Sequence, residues 1–157
     1  MPVTRQSTIS VENVRSLHTP ALQSVAAARV LVSEYGSAML NTEHLLLGIL
    51  RVDADAIGRF LPSKTTDEIR AEVEQGMVVK PEIPQHIDIP LSAEGEQILT
   101  FAAQERYRFG HRRVDIAHLV AGMLREENGV AGQILRSAGL NLEAVRQHLS
   151  LGEAETE

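Results

Sequence analysis

Apolar residues recur every three or four positions through most of this chain, which is the spacing of helices with one buried face. The clearest case carries Leu45, Leu46, Ile49 and Leu50 on one side of a predicted helix. No segment alternates apolar and polar residues for long enough to predict a strand. The pattern therefore predicts eight helices and no sheet.

The ends of these helices are predicted from capping residues, glycine and proline. Thr19 is predicted to cap the first helix through its hydroxyl, with Pro20 at the first helical position. The short third helix is predicted to hold Ile57, Phe60 and Leu61. The other predicted starts are Asn41, Thr66, Ser92, Asp115, Val130 and Asn141, and the predicted stops are Gly36, Pro62, Gly76, Gly110 and Gly139.

The two halves of the chain repeat each other at an offset of 74 residues. Residues 41–51, NTEHLLLGILR, align with residues 115–125, DIAHLVAGMLR. The register extends to Gly36 with Gly110 and to Gly58 with Gly132. A repeat of this length indicates a domain made of two similar structural units.

The repeat sets the predicted domain organisation. Repeat one covers 19–76 and repeat two covers 91–150, each with four helices. Residues 77–90 contain three prolines and lack Ser and Gly, which predicts an ordered, extended connector. Residues 1–18 are predicted to be an N-terminal extension, and residues 151–157 an acidic tail.

Composition narrows the possible functions. The chain has no cysteine, which excludes thiol catalysis, disulfide frameworks and iron–sulfur sites. The net charge of −6 opposes nonspecific binding to nucleic acid. The apolar runs are too short to cross a membrane, and the first residues lack a secretory pattern. We therefore expect a cytoplasmic protein without nucleic-acid or membrane partners.

The segment Thr42-Glu43-His44-Leu45-Leu46-Leu47-Gly48 resembles the Thr-Glu-His helix of the Clp unfoldase N-terminal domain, whose fold is two four-helix repeats. The stretches 89–92, 109–111 and 125–131 are similar to further passages of the same family. The resemblance covers roughly residues 17–150 and is closest to the ClpC branch. It implies an all-α fold of two pseudo-symmetric four-helix repeats and a role in docking substrates or adaptors.

The chain departs from this family pattern in several places. Ile116-Ala117 replaces the second Thr-Glu pair, and Val52-Asp53-Ala54-Asp55 replaces a Glu-Gly-Glu-Gly loop. A phosphate-binding loop of the type Gly-x-x-x-x-Gly-Lys-Ser/Thr is not present, because neither lysine has the required glycines before it. No triad of catalytic residues is visible either. We therefore expect no enzymatic activity, no catalytic residues and no cofactor.

His44 and His118 occupy equivalent positions at the starts of two helices. A metal site on one helix would require a second ligand on the same face, as in His-Glu-x-x-His, and each helix has a single histidine. We therefore predict buried, hydrogen-bonded histidines that fix the helix starts, and no metal site.

Candidate binding residues follow partly from the resemblance. In the family, this face engages substrates and adaptors, and in some ClpC-like members the motif Glu contacts a phosphorylated arginine, which implies roles for Thr42 and Glu43. Glu43 also suits the positive end of its own helix dipole. Since Ala117 stands at the equivalent position, we expect at most one phosphoarginine site. Arg112 and Arg113, with Arg106 and Arg108, form either a phosphate-binding patch or a solvated helix end.

The sequence thus predicts a non-catalytic protein-interaction module that docks substrate proteins or adaptors for a Clp-type ATP-dependent unfoldase and protease. The alternative is a stand-alone sensor or regulator that binds a modified residue, such as phosphoarginine, near Glu43. Two origins fit: an excised N-terminal domain of an unfoldase, or a separate protein, which the non-repetitive first residues mildly favour.

Overall fold

The computed structural model describes residues 15–152, which form eight α-helices and no β-strand. The helices pack around a core of aliphatic side chains with very few aromatic rings. No helix among these residues is both long and apolar enough to cross a membrane. The helices are α1 (Thr19–Tyr35), α2 (Thr42–Val52), α3 (Asp55–Gly58), α4 (Thr66–Gln75), α5 (Ala93–Phe109), α6 (Ile116–Arg125), α7 (Val130–Ser137) and α8 (Leu142–Leu151).

In each repeat the first two helices cross at a glycine of the second helix. Gly122 of α6 lies against α5, where an added Cβ would lie only 2.6 Å from the carbonyl oxygen of Ile98. Gly48 of α2 lies in the same way against the carbonyl of Ser24 in α1. These contacts are equivalent under the 74-residue offset, so the repeat seen in the sequence is also a repeat in space.

The two repeats are joined by an exchange of their leading residues. Leu17, just before α1, forms a parallel bridge with Val114 of the second repeat. Leu91, just before α5, forms the equivalent bridge with Leu40 of the first repeat. The backbone N–H groups of His18 and Ser92 donate to the carbonyls of Val114 and Leu40, at 2.8 and 3.0 Å. Each repeat therefore begins with residues that pair with the other.

The connector 77–90 contains no helix and runs along the end of α1. The N–H of Lys80 donates to the carbonyl of Tyr35, and the N–H of Ile83 donates to that of Ser33, both at 2.9 Å. Gly36 ends α1 with a φ of 65°, and an added Cβ there would clash with the backbone of Pro81. The connector is therefore held against α1 by residues 80–83, and a turn follows in which the N–H of Ile87 donates to the carbonyl of Pro84 at 3.1 Å.

Most predicted caps are confirmed. Ser92 and Asp115 accept backbone N–H groups at the starts of α5 and α6, and Gly36 and Gly110 end α1 and α5 in the left-handed conformation. The prediction for Thr19 was wrong, because Thr19 is already helical. His18 precedes it as the N-cap residue, and within the described part of the chain no side chain caps α1. The tertiary bond from His18 to Val114 sets the start of this helix instead.

Other expectations shift by a few residues. The short helix α3 ends at Gly58, so Phe60 and Leu61 lie in the turn after it rather than in the helix. Leu17 is buried, although the sequence placed it in the N-terminal extension. The rest of that extension up to residue 14, and the predicted acidic tail beyond Gly152, lie outside the described residues.

Candidate functional site

The start of α2 is held by a histidine that points back to its own N-cap. His44 is 1% exposed, and its Nδ1 accepts the backbone N–H of Asn41 at 2.9 Å. Because Nδ1 is an acceptor, the neutral ring carries its proton on Nε2, which donates to Ser37 Oγ at 3.1 Å. Burial lowers the pKa of His44 to about 4, so the ring is neutral at neutral pH.

The start of α6 repeats this arrangement with a different partner. His118 is 1% exposed, its Nδ1 accepts the N–H of Asp115 at 2.8 Å, and its Nε2 lies 2.8 Å from Nδ1 of His111. Burial, followed by the neighbouring His111, lowers the pKa of His118 to about 4. The prediction of buried histidines that fix helix starts is confirmed. Among residues 15–152, no group of three potential ligands could hold a metal ion.

Thr42 lies at the same helix start but faces inward. Its side chain is buried, and its hydroxyl accepts the backbone N–H of Ala131 at 3.1 Å. This bond satisfies a free N–H in the first turn of α7, which belongs to the other repeat. Thr42 therefore joins the two repeats, and any part it takes in binding is limited to the wall of the groove described next.

A groove of about 300 Å³ opens at the start of α2, between the two repeats. We call it the first groove. Two of its residues, Glu94 and Asn128, also line an adjoining cavity of about 390 Å³ that extends to Phe101 and Arg125. The residues that line the first groove are Asn41, Thr42, Glu43, Ser92, Glu94, Asn128, Gly129 and Val130.

The first groove carries negative charge. Glu43 and Glu94 are half-exposed, and neither forms an ion pair with any residue of the described part of the chain. The nearby cation, Arg125, lines only the adjoining cavity. Its guanidinium is bound to Glu105 at 2.9 Å and stacks over Phe101 at 4.1 Å from the ring centre. The two free carboxylates can therefore receive a positively charged group from outside.

The loop that forms one wall of this groove is fixed by a buried carboxylate. Glu126 is 4% exposed, and its two oxygens accept the N–H groups of Asn128 at 3.0 Å and Gly129 at 2.6 Å. These bonds hold the loop before α7 in one shape. The groove wall is consequently set before any ligand binds.

The equivalent position at the start of α6 has a different surface. This second groove, of about 110 Å³, is also formed between the repeats. Ala117 takes the place of Glu43, and Pro20 takes the place of Glu94. Arg59 and His148 line it as well, with the Arg59 Nη1 and His148 Nε2 atoms 3.4 Å apart, and so do the carboxylates of Asp53 and Asp115. The two grooves are related by the repeat, but the second holds Arg59 beside its carboxylates, whereas no basic residue among residues 15–152 lines the first.

The remaining candidates, Arg112 and Arg113, line neither groove. They lie in the loop between α5 and α6, just beyond Gly110. Arg112 is exposed and Arg113 is half-buried, and neither is paired with an acidic side chain among residues 15–152. The sequence predicted Thr42, Glu43, Arg112 and Arg113 as one set of binding residues. In the structure, Thr42 and Glu43 line the first groove, whereas Arg112 and Arg113 lie on a separate surface.

Comparisons with known proteins cover most of the chain. The model of the Clp repeat N-terminal domain family matches residues 17–138 and again residues 90–156. The negative regulator of genetic competence ClpC/MecB of Bacillus subtilis is 28% identical over 140 residues, which is 87% of this chain and 17% of the relative. The chaperone ClpB of Oceanobacillus iheyensis is 29% identical over 116 residues, 73% of this chain and 14% of the relative. The chain thus spans about a sixth of the length of its curated relatives.

Solved structures share the fold. The N-terminal domain of the chaperone ClpD from Arabidopsis thaliana superposes with a TM-score of 0.66 at 21% identity, covering 86% of this chain and 95% of that domain. The Hsp104 N-terminal domain from Candida albicans gives a TM-score of 0.69 at 15% identity, covering 85% and 89%. The prediction of an all-α double repeat is confirmed.

Proposed function

Because this chain belongs to the Clp repeat N-terminal domain family, we propose that it is a non-catalytic module that docks substrate proteins or adaptors for a Clp-type ATP-dependent unfoldase and protease. Unfolding and peptide cleavage would be carried out by other domains or partner chains. The proposed location is the cytoplasm, where such partners would be met. We assign no nucleic-acid, membrane or cofactor partner to it.

The observation that carries this proposal is the pair of free carboxylates in the first groove. Glu43 and Glu94 come from different repeats and line the same groove. The guanidinium of an arginine can pair with a carboxylate through two parallel hydrogen bonds. Val130, which is 41% exposed, adds an apolar edge beside the charges. The groove therefore suits a protein segment in which a basic residue adjoins an apolar one.

A phosphorylated arginine is the second candidate ligand for the same groove. Its guanidinium would pair with Glu43, and its phosphoryl group could approach the free N–H groups in the first turn of α2. No lysine or arginine of residues 15–152 lines the first groove, however, and Glu94 opposes a second negative charge there. We therefore propose that the unmodified arginine binds more tightly than the phosphorylated one, and that only the first groove binds.

The experiment is isothermal titration with three peptides that differ at one position, which is arginine, phosphoarginine or glutamine. The arginine peptide is expected to bind at one site per chain, and Glu43→Gln is expected to weaken it about tenfold, or about 1.4 kcal/mol. Glu34→Gln, a change of an exposed carboxylate on α1, is the matched control. Equal affinity of the three peptides for the wild-type protein would refute the role of the groove charges.

A gain of function tests the difference between the grooves. Ala117→Glu places a carboxylate in the second groove at the position equivalent to Glu43. We expect the stoichiometry of the arginine peptide to rise from one toward two. The wider docking role is tested separately, by crosslinking the wild-type protein to purified Clp ATPase and client proteins. If the peptide binds but no Clp component or client is captured, the docking role fails while the groove remains a binding site.

A further inference from the structure

The ends of α1 and α5 are equivalent under the repeat, yet within the described residues 15–152 an extended segment covers only the end of α1. The connector lies along it, and the N–H of Lys80 pairs with the carbonyl of Tyr35. The connector backbone also closes over Gly36, where an added side chain would clash with it. The structure thus contains an extended segment already bound to a helix end of this shape.

The end of α5 has the same backbone shape without such a cover. Gly110 takes a φ of 69°, close to the 65° of Gly36. Within residues 15–152, an added Cβ at Gly110 would meet nothing within 4 Å, and no connector N–H reaches the carbonyl of Phe109, the counterpart of Tyr35. Among residues 15–152, no segment therefore occupies in repeat two the surface that the connector uses in repeat one.

The end of α5 and the loop after it are rich in arginine, although one of these arginines, Arg108, pairs with the buried Glu105 at 4.0 Å. Four of the 15 basic residues of the chain lie between positions 106 and 113, a stretch without Asp or Glu. The counterpart stretch 32–39 at the end of α1 has no basic residue and one Glu. In a chain with a net charge of −6, this concentration is a local reversal of the overall charge. The basic residues are Arg106, Arg108, Arg112 and Arg113.

Part of this charge serves the helix itself. A cation near a helix C-terminus complements the negative end of the helix dipole. Arg106 donates from Nη1 to the carbonyl of His111 at 2.9 Å, which closes the turn after α5. Arg112 and Arg113 lie beyond the helix and make no such bond to the described residues. Those two side chains are available to a partner.

We propose that an extended segment bearing carboxylates, from a partner protein, docks on the end of α5 as the connector docks on the end of α1. Its backbone N–H groups pair with the carbonyls of Tyr107 and Phe109, and its carboxylates pair with Arg112 and Arg113. The exposed ring of Tyr107, 81% accessible, borders the same surface. This surface is distinct from the first groove, so either can bind when the other fails.

The probe is a fluorescein-labelled octapeptide of alternating Glu and Val, titrated by fluorescence anisotropy against the full chain. Its Lys and Val counterpart is the charge control. We expect the acidic peptide to bind and the Lys and Val peptide not to bind. The affinity of the acidic peptide should fall as the salt concentration is raised. The double variant Arg112→Glu/Arg113→Glu is expected to weaken binding at least tenfold, while Arg51→Glu/Lys64→Glu, with the same change of net charge, leaves it within twofold.

Backbone pairing is tested with an acidic peptide whose amide nitrogens are methylated at alternate positions. Because methylation removes N–H donors and keeps the carboxylates, we expect at least a tenfold loss of affinity. Equal binding of the two acidic peptides would refute the backbone pairing. Equal binding by the two double variants would refute the site itself, and melting curves would show that both variants are folded.

Two other possible occupants of the surface at the end of α5 would give different experimental results. A single-stranded oligonucleotide that binds more tightly than the acidic peptide, and loses binding in Arg112→Glu/Arg113→Glu, would overturn the protein partner. Truncation after Gly152 removes Glu153, Glu155 and Glu157. If truncation raises the affinity for the acidic peptide tenfold, the occupant is the chain's own acidic tail, and the external segment is overturned.

Discussion

Glu105 is the most sharply testable structural residue, because it is a carboxylate with 0% exposure inside a helical domain. Its oxygens accept hydrogen bonds from Arg146 at 2.9 and 2.8 Å and from Arg125 at 2.9 Å. These bonds connect α5 to α6 and α8. The perturbation is Glu105→Gln, which keeps the shape of the side chain and removes its charge.

The magnitude follows from what the change leaves behind. Breaking a buried ion pair by removing one partner costs about 3–5 kcal/mol, because the other charge stays buried without compensation. The side chains of Arg125 and Arg146 are 23% and 24% exposed, so water compensates part of that loss. We therefore expect a decrease of about 3 kcal/mol in the free energy of unfolding, a large part of the 5–15 kcal/mol typical of a domain.

The assay is urea unfolding followed by circular dichroism, with Glu127→Gln in an exposed loop as the matched control, expected to change stability by less than about 0.5 kcal/mol. A double-mutant cycle adds Arg146→Gln and the double variant. The double variant is expected to lose about 2 kcal/mol less than the sum of the single losses. A loss below about 1 kcal/mol for Glu105→Gln, or additive losses in the cycle, would refute the reasoning.

The pH dependence gives a second check on Glu105. Burial alone would raise the pKa of its carboxyl, but the hydrogen bonds and charge of Arg146, with the charges of Arg125 and Arg108, lower it overall. A group with a lowered pKa in the folded state stabilises the fold above its ordinary pKa, and that contribution is lost as the pH falls through the lowered value. The stability gap between wild type and Glu105→Gln is therefore expected to narrow below about pH 4.

Three further predictions concern the histidines, a helix crossing and the bond between repeats. The pKa values of His44 and His118 are lowered to about 4, so the unfolded chain binds more protons than the folded chain between pH 6.5 and 4. Each histidine should therefore lower the free energy of unfolding by about 1–2 kcal/mol between pH 7 and pH 5. Urea midpoints that do not move over this range would contradict this prediction. Gly122→Ala should lower the free energy of unfolding by about 1–3 kcal/mol, although Ala has the better helix propensity, because its Cβ would clash with the carbonyl oxygen of Ile98. An unchanged melting temperature would count against the close crossing of α5 and α6. Thr42→Val should lower the free energy of unfolding by about 1–3 kcal/mol, because it leaves the N–H of Ala131 unpaired. It should also speed the exchange of that amide hydrogen, which nuclear magnetic resonance detects. An unaltered exchange rate would exclude the hydrogen bond.

Local features of the fold could be predicted from the sequence because their causes are local. Ser92 and Asp115 cap the helices that they precede, and Gly36 and Gly110 end theirs, since each acts within a few residues of its own position. The same local reasoning gave the wrong N-cap residue for α1. Its position depends on Val114, nearly a hundred residues away, which no local pattern reveals.

The candidate site was only half predictable. Glu43 was identified because its motif is conspicuous, but Glu94 and Asn128 were missed because they belong to the other repeat. The offset shows which residues are equivalent, and it does not show which ones touch. Glu105 was missed although its spacing from Ile98 and Ala102 places it on the buried face of α5, where a carboxylate needs a buried cation as partner.

The exchange of leading residues has a consequence for how the two grooves differ. Leu17 pairs with Val114, and Leu91 pairs with Leu40 in the equivalent way. The molecule therefore resembles a twofold homodimer whose two subunits are joined in one polypeptide. In a true homodimer, both copies of a site carry the same residue, and every substitution occurs twice. Covalent fusion removes that constraint. One groove can keep Glu43 while its counterpart carries Ala117, so a symmetric scaffold can present two grooves with different side chains.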